Sequence, residues 1–469
     1  MCSNRVSLFI RRLKKAIGVL REKGLSELVT RVKGFVRRRG QIEIKTRHVV
    51  PLEYDTSPVR FNGKKLEKEK LALVLSLLRE KRFSLAISQD DYLNIVGGVQ
   101  LKLLNQQRQM NNEGLAFLHL SPYSPRTSLD FSQQEGIVRI NLDGEFLGFA
   151  GERTLIMVLE DILPSENFNE IHIHHLMGWK TETIEKILKI VAGKPIYYWI
   201  HDFFSICPNY SLLRNGIEYC HAPSPDTNAC QICVYGAIRP RHFQAFKKLF
   251  QEYPIEVIAP SDFALKFWRE KFLDFNGPSR VEPHADIKWT QRFQNNEQPL
   301  KVAFVGYPVM HKGWQTWLKL TKIFGKDPRY RFFHFSTNWQ RSPNFDKVAV
   351  SVNQQNWSAM TDALRENNID IAFLWSVCPE TFSFTLYESL SAGCFIITNP
   401  YSGNIQDYIS KNPKLGRVYS DDEELIQAFE TGDVITNFLE FNSNVRQLGT
   451  LILNPIDKNT KRTLDKKFK

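Results

Sequence analysis

The sequence predicts an α/β protein made of two Rossmann-like, doubly wound domains facing across a cleft, and three observations predict it. From Phe83 onward short apolar runs alternate with helical stretches, the pattern of parallel strands covered by helices on both faces. The alternation stops in the polar stretch TQRFQNNEQPL and restarts with KVAFVG at 301–306. A chain of 469 residues is also too long for one ordinary core and suits two large domains.

In the first half, FSLAIS (83–88), LAFLHL (115–120), EIHIHHL (170–176), IYYWI (196–200) and IEVIAPS (255–261) are predicted strands. KTETIEKILKIVAG, RPRHFQAFKKLFQEY and FALKFWREKFLDF are predicted helices. IVRINLDGEFLGF carries an Asp-Gly turn between two apolar runs and predicts a hairpin. In the second half KVAFVG, RFFHFS (331–336), IDIAFLW (369–375) and CFIITN (394–399) are predicted strands. The expected organisation is a basic leader over 1–40, an N-terminal domain over 41–290, a C-terminal domain over 291–435, and a helix with a basic tail over 436–469. Such units bind ligands outside the carboxyl ends of their strands.

The net charge of +12 first suggests nucleic acid, but its location decides otherwise. Residues 1–40 hold twelve Lys or Arg against Glu22 and Glu27, so the remaining chain is close to neutral. No nucleic-acid partner is therefore expected. Val6, Phe9, Ile10, Leu13, Ile17 and Leu20 recur in the leader at helical spacing, interrupted by basic residues. That pattern fits an anionic membrane surface, to which each cation contributes about 1 kcal/mol, or a helix packed on the protein itself. It lacks the apolar core of a secretory signal and the length of a spanning helix. The expected location is cytoplasmic, peripheral on the inner face of the membrane.

The segment CPETFSFTLYESLSAGCFIITNP, at 378–400, follows directly on a predicted strand and separates Glu380 from Glu388 by seven residues. A helix starting near Phe384 leaves Glu380 in the loop before it and Glu388 about one turn inside, so both carboxylates can face one ligand. The amides of Phe384 and Thr385, at the positive end of that helix, favour a diphosphate. With Ser391, Ala392 and Gly393 following, the segment resembles the donor-site pattern of the retaining GT-B glycosyltransferases of family 4. The resemblance implies that Glu380 bonds the hydroxyls of the donor sugar and Glu388 the ribose of the nucleotide.

The resemblance extends from about 83 to 435. FVGYPVMHKGW resembles the family's glycine loop followed by Lys-Gly. Gly306 permits a sharp turn after a strand, and Lys312 can offset the charge of a leaving diphosphate. Many relatives carry an Arg just after the glycine; Tyr307 stands here, leaving His311 as a candidate source of charge. IVGGVQLKLLNQQ places Gly97 and Gly98 where the family has its acceptor-domain glycine loop. His201, at the end of IYYWI, matches the histidine near the reacting sugar, with His174 and His175 ranked below it. IAPSDFALKFW resembles a further strand-to-helix turn, where Asp262 also suits an N-cap. The chain holds no Asp-x-Asp, the motif on which transferases of the other common fold hold a divalent ion. No catalytic metal is therefore expected.

Cys207, Cys220, Cys230 and Cys233 fall close together and include one C-x2-C pair. In a reducing compartment clustered thiols suggest a structural zinc, with small buried thiols as the alternative. The resemblance implies transfer of a sugar, with retention, from a nucleoside diphosphate sugar to a hydroxyl of a glycan or lipid-linked acceptor in surface polysaccharide or glycolipid synthesis. The alternatives are an epimerase or synthase on the same fold, or a degenerate transferase serving as a sugar-nucleotide-binding or scaffold subunit.

Overall fold

The computed structural model describes residues 61–454, apart from 96, 124–125, 165, 295–297, 338–341, 353–355 and 445. The leader and the basic tail lie outside the described residues, as does the membrane contact expected of the leader. Among the described residues no helix is long and apolar enough to cross a membrane.

After α1 (Lys68–Leu75), the N-terminal half builds β1 (Phe83–Ile87), α2 (Gly98–Asn112), β2 (Ala116–Pro122), β3 (Ile137–Leu142), β4 (Glu145–Gly151), α3 (Glu152–Ile162), β5 (Phe168–Ile173), α4 (Thr181–Ile190) and β6 (Ile196–Trp199). A small ribbon, β7 (Leu213–Arg214) and β8 (Glu218–Tyr219), and α5 (Asn228–Gln231) come next. The half closes with α6 (Arg239–Glu252), β9 (Ile255–Ala259), α7 (Asp262–Lys271) and β10 (Ser279–Val281). The sheet order is β10-β9-β6-β5-β1-β2-β3-β4. Every neighbouring pair is parallel except those made by the hairpin β3–β4 at one edge. The hairpin turns at Asp143 (φ 51°) and Gly144 (φ 87°), the left-handed pair that an Asp-Gly turn supplies. Both faces of β1 are buried: Phe83, Leu85 and Ile87 enter the main core while Ala86 packs with Leu103 and Phe117 behind it.

A long strand, β11 (Ala285–Arg292), leads out of this half. The C-terminal half then builds β12 (Leu300–Val305), α8 (Trp314–Phe324), β13 (Tyr330–Phe335), β14 (Asp346–Val348), α9 (Ala359–Glu366), β15 (Ile371–Phe373), α10 (Phe384–Ser391) and β16 (Phe395–Thr398). It ends with α11 (Asn404–Lys411), β17 (Gly416–Val418), α12 (Asp422–Thr431), α13 (Asp433–Asn444) and β18 (Gln447–Leu453). All pairs of its six-stranded sheet are parallel, in the order β14-β13-β12-β15-β16-β17. Along β12, Leu300, Val302 and Phe304 point into one core and Ala303 and Val305 into the other, as the two-residue period of a strand buried on both faces requires.

Chain order along that sheet reverses between β12 and β15, and along the N-terminal sheet between β1 and β5. These switch points are where doubly wound sheets open a crevice. They bring His174 beside the end of β1, where its amide donates to Ile87 O at 2.8 Å, and the loop after β12 beside the loop carrying Glu380, where the Val377 amide donates to His311 O at 3.0 Å. β18 was not legible as a strand: it pairs antiparallel with β11. Ala285, Ile287 and Leu451 from this ribbon share the core of α10. Capping also differs from expectation at α7, where Ser261 accepts the Ala264 amide at 3.1 Å. Asp262 is the first helical residue and meets Lys411 Nζ at 3.2 Å instead.

Candidate active site

A cavity of about 500 Å³ lies between the halves. Gly97, Gly98, Gly306, Lys312, Phe384, Thr385 and Glu388 all line it. Gly98 opens α2 and faces the other half, where a Cβ would stand 3.6 Å from the Phe384 ring. Gly306 directly follows β12 with φ +115°, a conformation that side chains rarely adopt. Val350, Val352 and Trp357 add an apolar wall.

Helix α10 begins at Phe384, where the spacing places it, and carries Glu388 one turn in with 6% of its surface exposed. Burial pushes its carboxyl up to about 7, and among the described residues no cation opposes the shift. A carboxyl held in this way at the wall of a cavity is poised to accept a hydroxyl from a bound ligand.

Glu380 lies outside the cavity lining but reaches it through Lys312, whose Nζ stands 2.8 Å from Glu380 Oε1. Its backbone is clamped, since the Glu380 amide donates to Ser402 O at 3.3 Å and the Asn404 amide donates to Glu380 O at 2.8 Å. Gly403 makes this clamp possible, because at φ +67° a Cβ would stand 2.6 Å from Glu380 N and O. His311 does not supply the missing cation. Its imidazole is held down at about 4, first by burial and then by Lys312, so it is neutral at ordinary pH. Tyr307 is 56% exposed and brings no charge.

His201 follows β6 and is joined to the opposite half by its own carbonyl, which accepts the Thr381 hydroxyl. Ser261 Oγ donates to Thr381 O at 2.8 Å, a second bond across the cleft. The His201 ring bonds His174 Nδ1 at 2.8 Å, and His174 Nε2 bonds Gln106 Oε1 at 2.7 Å. Rings continue from His201 to His284 at 5.2 Å and on to Phe384 at 6.1 Å. Burial pushes His201 down to about 3 and His174 well below its ordinary value, the latter also repelled by His201. The pair is therefore neutral and can pass or orient a proton without carrying charge. His175 turns away and meets Asp202 Oδ2 at 3.1 Å.

Sequence reasoning missed a buried ion pair behind this row. Lys102 Nζ meets Glu282 Oε1 at 3.2 Å, with 2% and 7% of the side chains exposed, and lies 4.7 Å from the centre of the Trp199 ring. The signal was present in α2, where Gly98, Lys102 and Gln106 recur every four residues and so share one face. The four clustered cysteines lie elsewhere, around a small cavity of their own.

No family model and no curated protein matches the sequence. Solved structures do align. Sucrose-phosphate synthase from Thermosynechococcus elongatus is 11% identical over 77% of this chain and 92% of that one, with a TM-score of 0.48. WaaG, described as a glycosyltransferase involved in lipopolysaccharide biosynthesis, is 11% identical over 77% and 94%, with a TM-score of 0.46. Anabaena HepE in complex with UDP-glucose is 10% identical over 77% and 92%, with a TM-score of 0.43. Likeness at this level carries nothing about activity.

Proposed function

We propose that the chain is a glycosyltransferase that moves a sugar from a nucleoside diphosphate donor to an acceptor hydroxyl, with retention of configuration. The observation that carries this reading is Glu388, a buried carboxyl on the wall of a cavity shared by both halves, with no cation opposing its shift among the described residues. A ribose hydroxyl donating to it would recover part of its desolvation cost, which a purely structural carboxyl would recover from a protein partner. The apolar wall at Val350, Val352 and Trp357 suits the base. The start of α10 and Lys312 suit the diphosphate, whose charge grows as the glycosidic bond breaks.

In this mechanism Lys312 leaves Glu380 for the leaving phosphate, and Glu380 takes up the donor sugar's hydroxyls. His201 and the bonds through Thr381 and Ser261 hold the halves closed, which excludes water and aligns the acceptor. The acceptor class proposed is a glycan or lipid-linked glycan, met at the cytoplasmic face of a membrane through the basic leader. Charge on the leaving group is handled by protein groups, so transfer should need no added divalent ion.

The test is donor titration and sugar transfer with Glu388→Ala and Lys312→Ala. Donor affinity should fall in the first, and turnover should fall by roughly 10²–10³ in the second, as for loss of one oxyanion donor. Full transfer activity in both variants would place the site elsewhere. A second reading, a sugar-nucleotide-binding subunit without turnover, is favoured by Tyr307 and by the engagement of Lys312 with Glu380. It requires tight donor binding with no transfer or hydrolysis on any acceptor class.

A further inference from the structure

The loop between β6 and α6 is costly on its own. Among the described residues six other than glycine have positive φ, and four of them, Leu212, Asn215, His221 and Ala222, belong to this loop. Each such residue costs on the order of 1 kcal/mol, and the ribbon β7–β8 contributes only two residues per strand.

At the centre of this loop Cys207, Cys220, Cys230 and Cys233 line one cavity of about 20 Å³, room for a single ion or water and nothing larger. Against the same cavity lies Arg239, 3% exposed. Its guanidinium donates to Ile206 O at 3.2 Å and to Cys230 Sγ at 3.1 Å, and no carboxylate pairs with it among the described residues. A buried cation needs an anion, and sulfur is what surrounds this one.

We propose that Cys207, Cys220, Cys230 and Cys233 hold one zinc ion as a tetrahedral tetrathiolate, with Arg239 as the buried cation that offsets its negative charge. Four S–H bonds give way to four Zn–S bonds and the protons leave to solvent. Among the described residues no three ligand-type side chains already stand as a metal would draw them; zinc pulls the four sulfurs inward, to about 2.3 Å.

The ion has a consequence at the cleft. Tyr219 and His221, beside Cys220, meet the Tyr401 ring of the opposite half at 6.2 and 6.0 Å. Tyr401 adjoins Ser402 and Gly403, which clamp the Glu380 backbone. Zinc therefore fixes the loop that supports Glu380 from across the cleft.

The test uses the full chain purified without chelator. Elemental analysis should find one zinc per chain. Cobalt exchange should give the visible and sulfur-to-cobalt charge-transfer bands of a tetrahedral thiolate site, a readout that needs no variant. Arg239→Gln should surrender zinc to a chelating dye about tenfold more readily than the parent. Zinc well below one per chain, a cobalt spectrum without thiolate bands, or full zinc retention in Cys230→Ser/Cys233→Ser would each overturn the proposal.

Discussion

Replacing Glu388 by glutamine keeps the shape of the side chain and removes its charge, so the ligand-free protein reports on what burying that carboxyl costs. Glu388 rises from its ordinary 4.5 to about 7, with burial as the cause. At about 1.4 kcal/mol per pKa unit, the ionised form in place is disfavoured by on the order of 3 kcal/mol. The folded protein holds this proton more tightly than the unfolded chain does. Its contribution to stability is therefore full below about pH 4.5, lost as pH rises through about 7, and constant above. Wild type and Glu388→Gln should nearly coincide at pH 4.5. By pH 8 the variant should be the more stable by on the order of 3 kcal/mol, several degrees in a thermal melt. The same variant should bind a nucleoside diphosphate sugar about 10- to 100-fold more weakly, the worth of a hydrogen bond to a charged acceptor. Melts of both proteins across pH 4.5–8, with donor titrations at pH 8, provide the measurement. A variant no more stable than wild type at pH 8 would mean that the carboxyl is hydrated or paired, and the reasoning would fail.

Gly403→Ala should cost roughly 1–3 kcal/mol in backbone strain and weaken donor binding as well, because its Cβ would press on the Glu380 backbone at 2.6 Å. Gly432→Ala, at φ +88° with only the end of Arg329 nearby, should lose stability and keep donor affinity; equal donor binding in both variants would break the link between the clamp and the site. His201 is held near 3, so it is neutral throughout the working range. The pH profile of kcat/KM for the donor should show one acid limb near 7 from Glu388, and His201→Asn should lower kcat without moving that limb. Loss of the limb in that variant would assign it to the imidazole instead.

What was legible in the sequence was local. The interval between Glu380 and Glu388 fixes their relation to the helix start at Phe384, because both lie within one loop and one turn. Gly306 and Lys312 were legible for the same reason, as was the hairpin at Asp143 and Gly144. The partners chosen by topology were not. Lys102 meets Glu282, and His201 meets Thr381, only because two switch points face each other, and no period along the chain encodes that meeting. His311 looked like a cation by type, but charge depends on hydration, which burial removes. Asp262 and Ser261 both suit a cap by composition, and only the turn geometry selects the serine.

The pairing of β11 with β18 has a bearing on how the molecule can open. The polypeptide leaves the first half along β11, and after the second sheet is complete it comes back beside the same strand. There the Asn454 amide donates to His284 O at 3.0 Å, and Asn105 Nδ2 reaches Asn454 O at 3.2 Å. The halves are thus sewn together by an outgoing and a returning thread. A cut in the polar stretch around 293–299 would not yield two independent pieces, because the final strand would go with one fragment and its hydrogen-bonding partner with the other. A swing that parts the halves while this ribbon stays paired would pivot about this seam.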